Sequence, residues 1–380
     1  MKGIDLPERT EDFTADPVEL FFDLAYVFAF SQLVGHLVHH PDWEGVGEAA
    51  LLFGLLWLPW SQFTWAANAV SGNGRIVRIL FLVGTVTSVP MAASVSTAFG
   101  PGGPVFAISL AIIVVLGLST LTLAFEAGTD VYRSFVGWAW PNLLALAVII
   151  AGGFVDGSGR KVIWIIAAVI VIGAMVAAGG GEWIVRPGHF AERHGLIVII
   201  ALGEVVVAIG IPVVLALEDG EGLPGRTVAA LVAAGAFAGL LWWGYFDRPG
   251  PAIEHRAEEL VDSKEKGRFV RDVYTWAHAP LVAGIILAAA ALEEITLHPA
   301  DDVPGAFRLM LFGGLALWVL AIVDAVWRSF RVVARERLVA LVIIGALLGP
   351  ASSWDGPYLL IVIDLIILAT LVVEHIRIER

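Results

Sequence analysis

Residues 195–217 read Gly195-Leu-Ile-Val-Ile-Ile-Ala-Leu-Gly-Glu204-Val-Val-Val-Ala-Ile-Gly-Ile-Pro-Val-Val-Leu-Ala-Leu217, 23 positions with a single ionisable side chain. A helix needs about 20 apolar residues to cross a hydrocarbon core of about 30 Å, so this stretch reads as a membrane span. Pro212 argues little against helix there, because membrane helices tolerate proline. Similar blocks recur on both sides. They predict spans at 18–38, 48–69, 75–97, 104–125, 134–154, 161–180, 191–216, 226–246, 271–292, 306–327, 336–350 and 357–376. The fold class expected is therefore an all-α, polytopic membrane protein of about twelve helices, with the eleventh the shortest.

Composition supports this reading. Of 380 residues, 58% are hydrophobic and 16% charged. A soluble domain has about 45–50% apolar and about 25% charged residues, so the polar surface here is too small to cover a soluble protein. The balance of 36 acidic to 23 basic residues excludes a nucleic-acid-binding domain, which needs basic patches. With no cysteine, disulfides, thiol nucleophiles and Cys-ligated metals are excluded. The partner expected is the lipid bilayer. No cleavable signal is expected, since the first apolar block is too long and lacks a small-residue cleavage site.

Charge distribution sets an orientation. With twelve spans, one side carries 19 of the 23 Lys and Arg, and the other only Arg160, Lys161, Arg226 and Arg308. The positive-inside rule makes the first side cytoplasmic, with both termini on it, in a bacterial inner membrane. The outer loops are acidic, with Asp42, Glu44, Glu48, Glu218, Asp219 and Glu221 among them. The organisation expected is a tail at 1–17, a six-helix half at 18–180, spans seven and eight within 181–247, a charged cytoplasmic loop at 248–270, and the remaining spans and a short tail at 271–380. Gly179-Gly180-Gly181 marks the turn between halves. Gly54-Leu55-Leu56-Trp57 in span two is similar to Gly239-Leu240-Leu241-Trp242 in span eight, and Arg75 with Pro90 is matched by Arg271 with Pro280. Six spans per half is an even number, so the halves would form a parallel pseudo-repeat with a polar site between them.

Ionisable residues inside spans are the candidate site, because each costs about 2.5–3.5 kcal/mol to insert. Glu19 and Asp23 lie one turn apart on one face of span one. Two carboxylates so close in a low dielectric do not both ionise cheaply, so a proton, a cation or an arginine is expected with them. Gln32 and His36 form a second such pair further along. Glu192, Arg193 and His194 cluster at the mouth of span seven, where Arg193 either neutralises Glu192 or anchors at the interface. Glu204 stands at the middle of that span. His278 lies about two turns into span nine, just before Pro280, and suits a proton relay. Asp364, Asp247 and Trp242 complete the candidate set. The histidines show no close ligand spacing, so no metal is expected. Phosphate loops, nucleophile elbows and dinucleotide fingerprints are missing from the sequence, and no cofactor is expected.

Several of these residues stand in a familiar pattern. Glu19-Leu20-Phe21-Phe22-Asp23-Leu24, Glu192-Arg193-His194-Gly195-Leu196, Gly203-Glu204, Trp242-Trp243 to Phe246-Asp247, and His278-Ala279-Pro280-Leu281 resemble, in order along the chain, the bacterial low temperature requirement protein A family. The resemblance implies a polytopic inner-membrane protein linked to growth in the cold, and brings no substrate with it. Four function classes stay open. The leading one is a proton-coupled carrier of a small solute or ion, using Glu204 and Asp23 with Glu19 and His278 in support. A membrane-embedded enzyme acting on a lipid or isoprenoid is the second, and a structural or sensory protein the third. Phe21-Phe22-Asp23 is similar to the Phe-Ser-Asp signature of a six-plus-six-span potassium channel family, which adds a cation channel. Oligomeric state is open, because small-residue helix faces pack within one chain or between two.

Overall fold

Apolar blocks of about 20 residues become helices because, without water, only a helix satisfies every backbone group within the segment. A computed structural model describes residues 15–70, 74–178, 181–218 and 222–378. Most of the expected N-terminal tail, Gly179 and Gly180, and the loop acids Asp219 and Glu221 lie outside the described residues.

The helices are α1 (Pro17–His39), α2 (Trp43–Ala69), α3 (Arg75–Ala93), α4 (Gly103–Ala124), α5 (Asp130–Gly153), α6 (Ser158–Ala178), α7 (Pro187–Glu218) and α8 (Gly225–Phe246). They continue as α9 (Pro249–Glu259), α10 (Ser263–Val270), α11 (Ala277–Leu297), α12 (Gly305–Phe330), α13 (Arg335–Leu347) and α14 (Gly356–Ile378). A π-helical turn, Arg271–Trp276, joins α10 to α11. No strand occurs among the described residues.

Each of the twelve expected spans coincides with a helix, but ten helical stretches among the described residues are long and apolar enough to cross a membrane. The two others are α2 and α13. Helix α2 has 27 residues, and its apolar run is broken by Pro59, Trp60, Ser61, Gln62 and Thr64. Helix α13 has 13 residues, about 20 Å at the helical rise, short of a full crossing. The charged stretch 248–270 is helical for most of its length, as α9 and α10.

The chain divides into two units that do not follow chain order. The first contains the described residues of Met1–Leu33, Gly47–Leu196 and Glu254–Trp276. The second contains those of Val34–Val46, Ile197–Ile253 and Ala277–Arg380.

In the first unit, Phe22 of α1 stacks on Phe63 of α2 at 4.4 Å between ring centroids, and Phe81 of α3 meets Phe63 edge-on at 5.1 Å. Gly84 faces these rings, and a Cβ there would stand 3.2 Å from Phe63. Arg160, at the start of α6, is buried rather than in an outer loop. Its guanidinium donates to the carbonyls of Ala98 (2.7 Å), Gly100 (2.5 Å) and Val155 (2.9 Å), gathering the α3–α4 and α5–α6 connections. Such carbonyls past helix ends otherwise lack donors.

In the second unit, α11 and α12 cross where Gly284 meets Gly314. A Cβ on either would stand 2.4 Å from the other's carbonyl oxygen, so only glycine fits this approach. Arg337 of α13 holds Glu374 of α14 through two bonds, 2.8 and 3.0 Å, in the bidentate geometry that suits a buried pair.

Candidate functional site

Glu19 and Asp23 project from one face of α1 because residues four apart are neighbours on a helix. The start of α7 repeats the spacing with His189 and Arg193. The two helix starts meet in register. Glu19 Oε2 lies 3.0 Å from His189 Nε2, and Asp23 Oδ1 accepts from Arg193 Nη2 at 2.9 Å. Both pairs are separated by 170 residues, so these stretches of α1 and α7 run in the same direction. Arg193 Nη1 also lies 3.4 Å from Glu19 Oε2, tying the two rungs together. All four side chains are 0% exposed.

Helix α2 closes this cluster. Trp60 Nε1 donates to Asp23 Oδ1 at 2.8 Å, and its ring stands 5.9 Å from the Arg193 guanidinium carbon. The Asp16 amide donates to Glu19 Oε1 at 3.1 Å. His194 packs edge-on against Trp60, with Nδ1 2.8 Å from the Phe190 carbonyl. The π turn contributes Thr275. A π turn disturbs the regular carbonyl ladder, and the Thr275 carbonyl accepts from Trp57 Nε1 at 2.9 Å. Asp23 Oδ2, Tyr26 Oη and Arg193 Nε are buried with no hydrogen-bond partner among the described residues. No group of three or more His, Asp or Glu among the described residues is arranged to hold a metal ion.

The second feature of this unit is a cleft with about 870 Å³ of empty space, part of it its open mouth. Its walls are apolar, from residues such as Leu55, Leu110, Val114, Leu146, Ile149 and Val171. Trp65, Trp138, Trp183, Gly267 and Arg271 line it as well. Two amides interrupt the apolar wall: Gln62 of α2 and Asn142 of α5, each 5% exposed. Neither Glu19 nor Asp23 lines it.

The remaining sequence candidates fall elsewhere. Glu192 is exposed and accepts from the Ala15 amide at 2.6 Å, so Arg193 serves the α1 carboxylates and not its chain neighbour. Gln32 is half-buried in α1. Glu204, Trp242, Asp247, His278 and Asp364 belong to the second unit. Glu204 is buried. His278 Nε2 lies 2.7 Å from the Tyr245 hydroxyl. Asp364 is buried, with Oδ1 lacking a hydrogen-bond partner among the described residues. Trp242 is 47% exposed and stacks on Phe246. Asp247 ends α8 and pairs with Arg248 at 3.4 Å. Sequence reading missed His189, Gln62 and Asn142. The available signal for His189 was its place four residues before Arg193, mirroring Glu19 and Asp23.

Ten membrane-capable helices and a sealed cluster of charges inside two of them define a polytopic helical membrane protein. Residues 14–373 match the family model described as bacterial low temperature requirement A protein (LtrA). The chain belongs to that family, as the resemblance implied. It is also similar to an uncharacterised protein of Rhizobium meliloti (strain 1021), 29% identical over 325 residues, which cover 82% of this chain and 77% of that protein. No solved structure matches the chain.

Proposed function

We propose that the protein is a proton-coupled carrier of a small solute or ion in the bacterial inner membrane, and that the coupling proton resides in the cluster of Glu19, Asp23, His189 and Arg193. One observation supports this above others: the cluster's charges do not cancel without a proton. Two carboxylates face one guanidinium and one imidazole, all fully buried. With a neutral imidazole the group keeps one uncompensated negative charge. A buried unpaired charge costs several kcal/mol, so a proton held in the cluster is stabilised by that amount. Releasing it demands a compensating cation or a rearrangement, and that demand is what couples a proton to a second event. The asymmetry of Lys and Arg supports cytoplasmic termini for this carrier. Glu204, His278 and Asp364 are secondary candidates for solute or ion contact.

The test uses proteoliposomes containing a trapped pH-sensitive dye and a panel of small ions, amino acids and sugars. At least one solute should dissipate an imposed pH gradient with the native protein, and Asp23→Asn should abolish that flux. Identical rates for native protein, Asp23→Asn and empty liposomes across the panel would reject the carrier. If flux appears but depends on Glu204→Gln and not on Asp23→Asn, the coupling proton has been assigned to the wrong unit.

A further inference from the structure

The structure assigns a second site to the first unit: we propose that the cleft between α2, α4, α5 and α6 binds a lipid-soluble alcohol, its apolar body against the helix walls and its hydroxyl donating to one of the two amide oxygens, of Gln62 or of Asn142. The site is separate from the ion cluster and does not depend on the carrier reading.

Three observations carry it. First, the cleft is a concave space open on one side, and its walls are overwhelmingly apolar, as small-molecule sites are. Second, the two side-chain amides in those walls are held with their oxygens unused, while Ser61, also in the lining, is taken up by the Thr275 hydroxyl 3.3 Å away. Gln62 Nε2 donates to the Val114 carbonyl at 3.1 Å, and Asn142 Nδ2 donates to the Trp138 carbonyl at 2.7 Å. A carbonyl accepts only from N–H, so both amides are fixed with nitrogen on the backbone and oxygen left over. Among the described residues no protein donor reaches either oxygen. Third, Gly117 makes room for the Gln62 amide, since a Cβ there would stand 3.0 Å from the amide carbon. An apolar side chain at position 62 would seal the wall, whereas the glutamine keeps an acceptor at the cleft for a donor that enters it.

The same atoms select the head group. Two carbonyl oxygens attract a hydroxyl and repel a carboxylate. The guanidinium in the cleft's lining does not reverse this, because Arg271 is occupied: Nε and Nη2 lie 2.8 and 2.6 Å from Asp272 Oδ1, and Nη1 faces the Met175 and Val176 carbonyls. A neutral donor on a hydrocarbon or isoprenoid body therefore fits better than a fatty-acid anion or a bare alkane.

The experiment is photolabelling of the full-length protein in detergent with a long-chain alcohol carrying a diazirine and an alkyne tag, followed by peptide mapping. Labelling should concentrate on α5 and α6 around residues 138–149 and 171–178. Untagged alcohol should compete about fivefold better than the alkane or carboxylate of equal length, the factor expected for one hydrogen bond. Gln62→Leu and Asn142→Leu together should erase that preference while alkane competition stays unchanged. Competition in the native protein needs no variant, so a poorly folding variant does not spoil the test. Equal competition by alcohol, carboxylate and alkane would overturn the proposal, as would labelling spread evenly over lipid-facing helices. Retention of the alcohol preference in a folded Gln62→Leu/Asn142→Leu protein would overturn it as well.

Discussion

Helix α2 separates two regions built on opposite principles. On the face of Trp60 lies the ion cluster, where four ionisable side chains and an indole bind one another with no surface left to solvent. On the opposite face, Leu55, Leu58, Pro59 and Gln62 border an open apolar cleft. Charges in a low dielectric survive only by mutual compensation, so the cluster is tightly packed and intolerant of loss. The cleft has little to compensate, so it stays open and keeps its two amide oxygens idle. One face of α2 spends its polar residues on internal partners, and the other holds them available. This is also why α2 is less apolar than the ten candidate spans: its polar residues have places to go inside the first unit.

That contrast can be broken or sharpened by substitution. The largest effect is expected at Arg193→Met, which strands two buried carboxylates and should cost about 3–5 kcal/mol. Loss of folded protein in thermal unfolding would report it, and an unchanged melting curve would mean the cluster carries no charge to balance. Trp60→Phe keeps the ring and deletes one bond to a charged acceptor, which should cost about 1.5–3 kcal/mol in the same assay. In the second unit, where His278 has a hydroxyl partner in Tyr245, Tyr245→Phe should cost only about 1 kcal/mol. The smallest effect is expected at Gln62→Leu, which trades an underused amide for an apolar side chain in an apolar wall and should change stability by less than about 1 kcal/mol. A large loss there would show that Gln62 holds the helices together and does not serve the cleft.

Much of this was legible in the sequence, and the illegible part has a physical cause. Long apolar blocks announced the helices, and the only spans to fall short were α13, cut to 13 residues, and α2, diluted by its own polar residues. The Glu19–Asp23 face was legible because spacing of four is a local property. Its partners were not, because nothing in local periodicity reveals a contact across 170 residues. Arg193 was noticed but read against Glu192, its chain neighbour, while a helix points adjacent residues about 100° apart. Arg160 reads from sequence as a loop cation, whereas five-donor geometry lets a guanidinium be buried against several carbonyls with Asp156 beside it. Gln62 and Asn142 have no polar residue four positions away to single them out, as His36 does for Gln32. What marks them is the cleft they line, and a cleft is a property of packing.

The central claim is that the α1 carboxylates and the α7 cations form one charge-coupled unit. A double-mutant cycle of Asp23→Asn and Arg193→Met, read by unfolding free energy in detergent, tests it most directly. The pair should show a coupling of about 2 kcal/mol or more, with the double variant more stable than Arg193→Met alone. Effects that add to within about 0.5 kcal/mol would contradict the account.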